Sequence, residues 1–600
     1  MAVSKGASGR SVAVASTVGE LLRQVFPQGT TYKSRPPRRV SERNYNNAPI
    51  FPFDLFAIAG LLLQRAGAYQ KIIAQGTAKV PPTGSVVISR ELRDRLKSVG
   101  SHWSTIAKVP PYVQKKWTEL LRYWEAPLFT YENGIQKPEK WWKIAFELMA
   151  IADEASEDVG YWPRDGMPVR WTVELAAVLL NGEFPKRPRS RHIKLSRNRP
   201  SLTSSAVNQD IVCVQPKART PDVGCCLRNL SHNLALLPPR GVMRVHWMTP
   251  PGAQGREEKE PLNVLLIPFP YVIDASWFET ERPTVGPWHW FELRQKWLSP
   301  GTDAIIDLVR ALMETAMAGN QVHSVVFPEY ALDWNTYEKL AEVLRDEYPT
   351  LQFLISGSSS NCIEEDGNFA LASHFFEDPD KRSTDERIMA TVSRPKHHRW
   401  SMSAGQIKSY GLEGEFELKG DTRWWEKIPL QPREIYVNAM RSASVFSAMI
   451  CEDLARTEPA HEPLRAVGPN LVFVLLMDGP QEEWRWAARY SMGLVDDPGC
   501  SVLTLTSRAL VARWNDVHPP AEQNWSVGLW KDEEHRAKAV SCPIGTEAIL
   551  LKLEGKRQEE ATVDGRINTQ TYAWHSLDVM NEIKLDRAKY GPLLKKFGLS

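Results

Sequence analysis

The chain has 600 residues and a mass of 68.0 kDa, with 42% hydrophobic and 24% charged residues, so it is too long for one small domain and too apolar for global disorder. Its longest clean apolar runs, 55–63 and 471–477, fall well short of the roughly 18 residues a membrane span needs. A net charge of +3 hides a split: residues 1–250 carry 36 Lys+Arg against 19 Asp+Glu, and the rest carry 38 against 52, a balance of +17 facing one of −14. A basic half of this kind is compatible with a nucleic-acid or protein partner, or with an interface to the acidic half. Seven cysteines, sparse and odd in number, argue against a disulfide scaffold and for a reducing, cytoplasmic setting.

Residues 1–47 are rich in Ser, Gly and Arg, with Glu20 and Glu42 as the acids, and read as a basic flexible arm. Residues 48–184 read as a mainly helical domain. Helical apolar spacing runs through 53–70, 112–124, 139–155 and 171–180, and the Trp and Leu stripes there are core rather than a ligand box. Residues 185–258 begin as a basic linker, with Lys186, Arg187, Arg189, Arg191, Lys194, Arg197 and Arg199 in close succession, and continue as bridging strands. Such a run would suit phosphate contacts and equally suits a solvated linker.

From about residue 259 the pattern becomes α/β and holds to about 560. Strand-like runs at 262–268, 322–327, 352–356, 445–450, 471–477 and 501–506 alternate with helical patterns at 302–317 and 334–345. Residues 561–600 read as a C-terminal helical extension, with a polar, basic helix over 576–599.

Three short words stand at predicted strand ends, where functional groups converge in α/β layers. Glu329 follows Pro328 in VVFPEYAL, Lys396 lies in SRPKHHRW, and Cys451 lies in SAMICEDLAR where a strand meets a helix. Together they can perform acyl transfer. The carboxylate takes the thiol proton, the thiolate attacks a carbonyl, and the ammonium steadies the oxyanion. The N–H after Cys451 would be a second oxyanion donor if the turn there is tight. His374, His397 and His398 lack the paired spacing of a zinc site, so no metal is expected. The vicinal Cys225-Cys226 reads as structural. No phosphate loop, dinucleotide fingerprint or serine-hydrolase elbow occurs, so no cofactor is expected.

Pro328-Glu329, Lys396 with its neighbouring His398, and Ile450-Cys451-Glu452-Asp453 resemble the signature of the nitrilase, or carbon–nitrogen hydrolase, superfamily, in its order of Glu, Lys, Cys. The resemblance covers roughly residues 260–555. It implies an α-β-β-α sandwich in the C-terminal half and catalytic Glu329, Lys396 and Cys451 acting on a small amide or nitrile without metal or cofactor. Pairing of sandwich domains into a homo-oligomer is also implied, and an effector role in bacterial antiviral defence is a setting in which such domains occur. The family places a second glutamate beside the lysine, and Tyr410-Gly411-Leu412-Glu413-Gly414-Glu415 points to Glu415, with Glu413 and Glu417 as rivals. The long interval from Lys396 to Cys451 implies an insertion within 404–434, and the proline before Lys396 leaves Lys408 as an alternative. A second function class stands beside the hydrolase: a sandwich without turnover, serving as scaffold for a partner-binding basic half.

Overall fold

The computed structural model describes residues 15–30, 43–77, 79–106, 108–132, 135–161, 192–194, 201–221, 226–250, 256–281, 288–377, 387–418, 423–534 and 537–599. Two large mixed sheets organise the C-terminal half. Their centres are short apolar runs buried on both faces, the composition parallel strands acquire when layers cover both sides. The eight-stranded sheet runs in the order Ile567–Ile583, Ala548–Ala561, Leu262–Leu266, Ser324–Val326, Phe353–Ser360, Asp366–Glu377, Arg387–Pro395, His192–Lys194. Its three central strands are parallel, and the hairpins beside them antiparallel. The seven-stranded sheet runs Lys538–Ser541, Ser526–Lys531, Ser501–Thr506, Leu471–Leu476, Val445–Ile450, Glu434–Ala439, Arg244–Met248.

The sheets stack face to face. Phe353 of the first lies 4.7 Å from Phe446 of the second, and Phe446 lies 5.6 Å from Phe473, ring centroid to centroid. Helices Thr302–Met317 and Trp334–Glu347 bury their apolar faces on the outside of the eight-stranded sheet, with Leu312 and Leu340 in one core with Val325 and Leu354. Helices His461–Val467 and Trp486–Asp496 cover the seven-stranded sheet. The layering is therefore helix–sheet–sheet–helix. Among the described residues no helix is long and apolar enough to cross a membrane.

The helices expected from spacing near the N-terminus form at Pro52–Arg65, Pro111–Leu121 and Lys140–Glu154 around a separate core. The stretch 171–180 and most of the basic linker lie outside the described residues, as does Cys225. Three boundaries differ from the sequence expectation. Within 1–47, residues Val18–Val25 form a helix whose Val18, Leu21, Leu22 and Val25 are buried in the helical core. The reason is local: Thr17 accepts from the Glu20 N–H and Glu20 reaches back to the Thr17 N–H, a capping box written Thr-x-x-Glu. Arg244–Met248, placed in the bridge, is already an edge strand of the seven-stranded sheet. Residues expected to be helical near the C-terminus are instead the strand Ile567–Ile583, which pairs along Ala548–Ala561; the helix is confined to Arg587–Lys596. Residues Ala573, Trp574, His575 and Ser576 are buried in succession, and pairing along Ala548–Ala561 overrides the helical reading.

That long hairpin reaches back to the helical domain. Arg566, near its tip, donates to Glu154 at 2.7 Å, Asp153 at 3.1 Å, Asp564 at 3.0 Å and the Leu230 carbonyl at 2.6 Å. Lys217 pairs with Glu560 at 3.2 Å close by. The described ion pairs across the junction thus run in both senses, basic half to acidic half and the reverse.

Candidate active site

Each predicted strand-end group sits on a backbone feature that fixes it. The strand Val445–Ile450 ends at Cys451, whose φ of +39° and ψ of −109° turn the chain abruptly into the short helix Glu452–Ala455. A non-glycine residue with positive φ is strained, and such strain concentrates where a side chain must be presented. Glu329 follows the strand Ser324–Val326, and the next residue, Tyr330, also has positive φ, +59°. The adjoining strand passes Glu329 so closely that a Cβ on Gly357 would lie 2.4 Å from the Glu329 Cα; only glycine allows that approach. Lys396 follows the strand Arg387–Pro395, and its N–H donates to the Asn368 carbonyl at 2.7 Å.

These turns bring Glu329 and Lys396 into contact and set Cys451 within their fields. Lys396 Nζ donates to Glu329 Oε1 at 2.8 Å and to Glu426 Oε2 at 2.7 Å. Asn368 Nδ2 bridges the same two carboxylates, at 2.7 Å to Glu329 Oε1 and 2.8 Å to Glu426 Oε1, and the Trp400 N–H adds a bond to Glu426 Oε2 at 2.9 Å. Of the four oxygens of this pair of glutamates, Glu329 Oε2 alone has no hydrogen-bond partner, although it is fully buried. The Cys451 thiol lies within the fields of both Glu329 and Lys396.

The electrostatics follow from burial. Glu329, Lys396 and Cys451 are 1%, 1% and 3% exposed. Desolvation pushes the Glu329 carboxyl up to about 7, with Glu426 adding to the rise and Lys396 opposing it. Burial would strip the proton from Lys396, but Glu329 and Glu426 hold it well above the ordinary lysine value, so it stays an ammonium. Burial and the Glu329 charge raise the Cys451 thiol, and Lys396 pulls it back. The thiol is therefore protonated at rest and needs a base beside it.

The second glutamate at the lysine is Glu426. Glu415, nominated from its sequence word, is exposed at the surface, and so is Glu413. Lys408 is likewise exposed on the helix Ala404–Ser409. Glu426 lies at the end of the strand Trp424–Glu426, which pairs in parallel with His289–Leu293 in a separate four-stranded sheet. Trp424 is buried in the core, and alternation turns Glu426 inward with it. His398 bonds the Glu458 carbonyl, and His397 is held neutral, its value down at about 3, by burial and by Arg394. Among the described residues no group of His, Cys, Asp or Glu has the arrangement of a metal site.

No protein-family model and no curated protein matches the sequence. Structural similarity to nitrilase-superfamily members extends over a little more than half of the chain. Nit3 of Saccharomyces cerevisiae, a member of branch 10 of that superfamily, is similar over 56% of this chain and 94% of its own, at 8% identity and a TM-score of 0.22. The NitFhit protein of C. elegans is similar over 57% of this chain and 64% of its own, at 12% identity and a TM-score of 0.24. Likeness this distant is silent on chemistry; the side-chain geometry is not.

Proposed function

We propose that the chain is a thiol-dependent hydrolase of carbon–nitrogen bonds, acting on a small amide. The observation that carries this reading is one unpaired, buried carboxylate oxygen, Glu329 Oε2, in a clamp that also holds an ammonium and whose field reaches a strained cysteine. A buried acceptor without a donor costs stability, on the order of 1–3 kcal/mol, and is kept where it has a proton to receive.

In the reaction the Cys451 Sγ–H proton passes to Glu329 as sulfur bonds to the amide carbon. The carbonyl oxygen gains charge facing Lys396 and the N–H of Glu452. The carbon–nitrogen bond then breaks, Glu329 returns the proton to the departing amine, and a thioester remains on Cys451. Glu329 next takes a proton from water, hydroxide oxygen bonds to the thioester carbon, and the carbon–sulfur bond breaks. The thiolate recovers its proton from Glu329 and the acid leaves. A base near 7 suits both directions of transfer. Glu426 and Asn368 hold the ammonium and the base in register.

The test is trapping. Wild-type protein incubated with an amide library and quenched in acid should carry one acyl mass on the Cys451 peptide, and Cys451→Ala should lose both adduct and turnover while keeping its thermal transition. Turnover retained by Cys451→Ala would overturn the proposal.

A further inference from the structure

We infer that Asp453 is the positioning residue that sets the Lys396 ammonium against the Cys451 thiol. The inference rests on the hydrolase reading above and adds a residue that does not touch the reacting atoms. Asp453 lies two places after the nucleophile, in the turn that Cys451 begins, and is 0% exposed. Its Oδ1 accepts the N–H of His397 at 3.0 Å and of His398 at 3.0 Å. Its Oδ2 pairs with the Arg394 guanidinium at 2.7 Å. Those three donors flank Lys396, one two places before it and two directly after. One carboxylate therefore ties both sides of the lysine loop to the nucleophile's own turn.

The chemistry of the clamp requires an anion. Asp453 is acceptor-only when ionised and can take all three donors; an asparagine of the same shape would turn an N–H₂ toward either the guanidinium or the loop amides. Burial opposes ionisation, but Arg394 and the His397 N–H hold the carboxyl below its ordinary value, so the anion persists. Arg394 is itself anchored to the Glu434 carbonyl at 3.2 Å, on the strand beside the nucleophile strand. The loop is thus held to the seven-stranded sheet while Lys396 reaches Glu329, which follows a strand of the other sheet. Asp453 sits where the two sheets' contributions must be brought into register, and a shift of the lysine loop of about 1 Å is enough to cost such a site heavily.

Alkylation of Cys451 by iodoacetamide, resolved by peptide mass spectrometry across pH 6 to 10, reads the positioning without a known substrate. Lys396→Met should slow Cys451 alkylation at neutral pH about tenfold and move the profile up by about one pH unit. Asp453→Asn should reproduce that shift with Lys396 still present. Asp453→Glu, which keeps the charge, should recover part of it, and Arg394→Gln, which spares the two loop amides, should give a smaller shift in the same direction. Asp54→Asn, a change at another fully buried carboxylate in the helical domain, should leave the Cys451 profile unchanged. An Asp453→Asn profile that overlays wild type while Lys396→Met is shifted would overturn the positioning role. A Lys396→Met profile that overlays wild type would overturn the hydrolase reading itself. Equal acceleration at the buried Cys213, Cys500 and Cys542 in Asp453→Asn would show loss of packing instead and would also overturn the positioning role.

Discussion

Two buried ionic clusters occupy the same chain and are built to opposite ends. At the junction of the helical domain and the long hairpin, Arg566 donates to three carboxylates and a carbonyl, and Asp153 also accepts the N–H groups of His232, Asn233 and Leu234. Around Lys396 charges are buried as well, yet one oxygen of Glu329 is left without a donor and a cysteine lies within the field of that carboxylate. Burial alone does not distinguish a structural charge from a reactive one. What separates them is satisfaction: the junction places a donor at each Asp153 oxygen, and the site leaves Glu329 Oε2 and Asn368 Oδ1 open.

Mutation should separate the two. Glu329→Gln removes the base and should lower turnover about 10⁴-fold, with a smaller loss of thermal stability than Arg566→Met because Glu426 still pairs with Lys396. A large drop in the melting transition with residual turnover would blur the contrast. Arg566→Met leaves Asp153 and Glu154 buried without their cation and should cost about 3–5 kcal/mol of unfolding free energy, read by denaturant titration, while the alkylation profile of Cys451 in the folded protein stays that of wild type. Gly357→Ala sits between these extremes. The added methyl meets the Glu329 backbone, and the strain of overpacking, about 1–3 kcal/mol, should appear in stability and turnover together.

The smallest effect is in pH dependence. Asp54, buried in the helical domain and bonded by the Ser204 N–H and hydroxyl, is pushed up to about 7 by desolvation. The folded state therefore favours its protonated form. Its contribution is fully present below the ordinary carboxyl value and is lost as pH rises toward 7. Glu329 is raised in the same direction and contributes with the same sign. Asp54→Asn should flatten part of the decline in stability between about pH 4 and 7 without altering the acid limb of turnover, and Glu329→Gln should flatten its own part. A stability profile for Asp54→Asn identical to wild type would remove Asp54 from the account.

How much was legible follows from what is local. Glu329, Lys396 and Cys451 could be nominated because each is part of a short word at a strand end, and a six-residue strand with five apolar residues such as Val445–Ile450 announces itself. The capping box at Thr17 was equally local and was masked only by the basic composition around it. Glu426 was not legible. It enters the site because Trp424–Glu426 pairs with His289–Leu293, more than a hundred residues earlier, and no pattern in its own segment records that partner. The strand Ile567–Ile583 was misread for the same reason: its state is set by pairing with Ala548–Ala561, and its polar outer residues leave the helical alternative open until the partner is known.

The sequence by itself determined which segments are buried strands, which residue types could carry acyl transfer, and in what order they come. The tertiary structure decided which glutamate completes the clamp, which oxygen stays open, and that Asp453 joins the lysine loop to the nucleophile's turn. Hydrophobic burial is written in composition and period, which are properties of one segment. Hydrogen-bond satisfaction is a property of two segments at once, and it exists only after the sheets have closed.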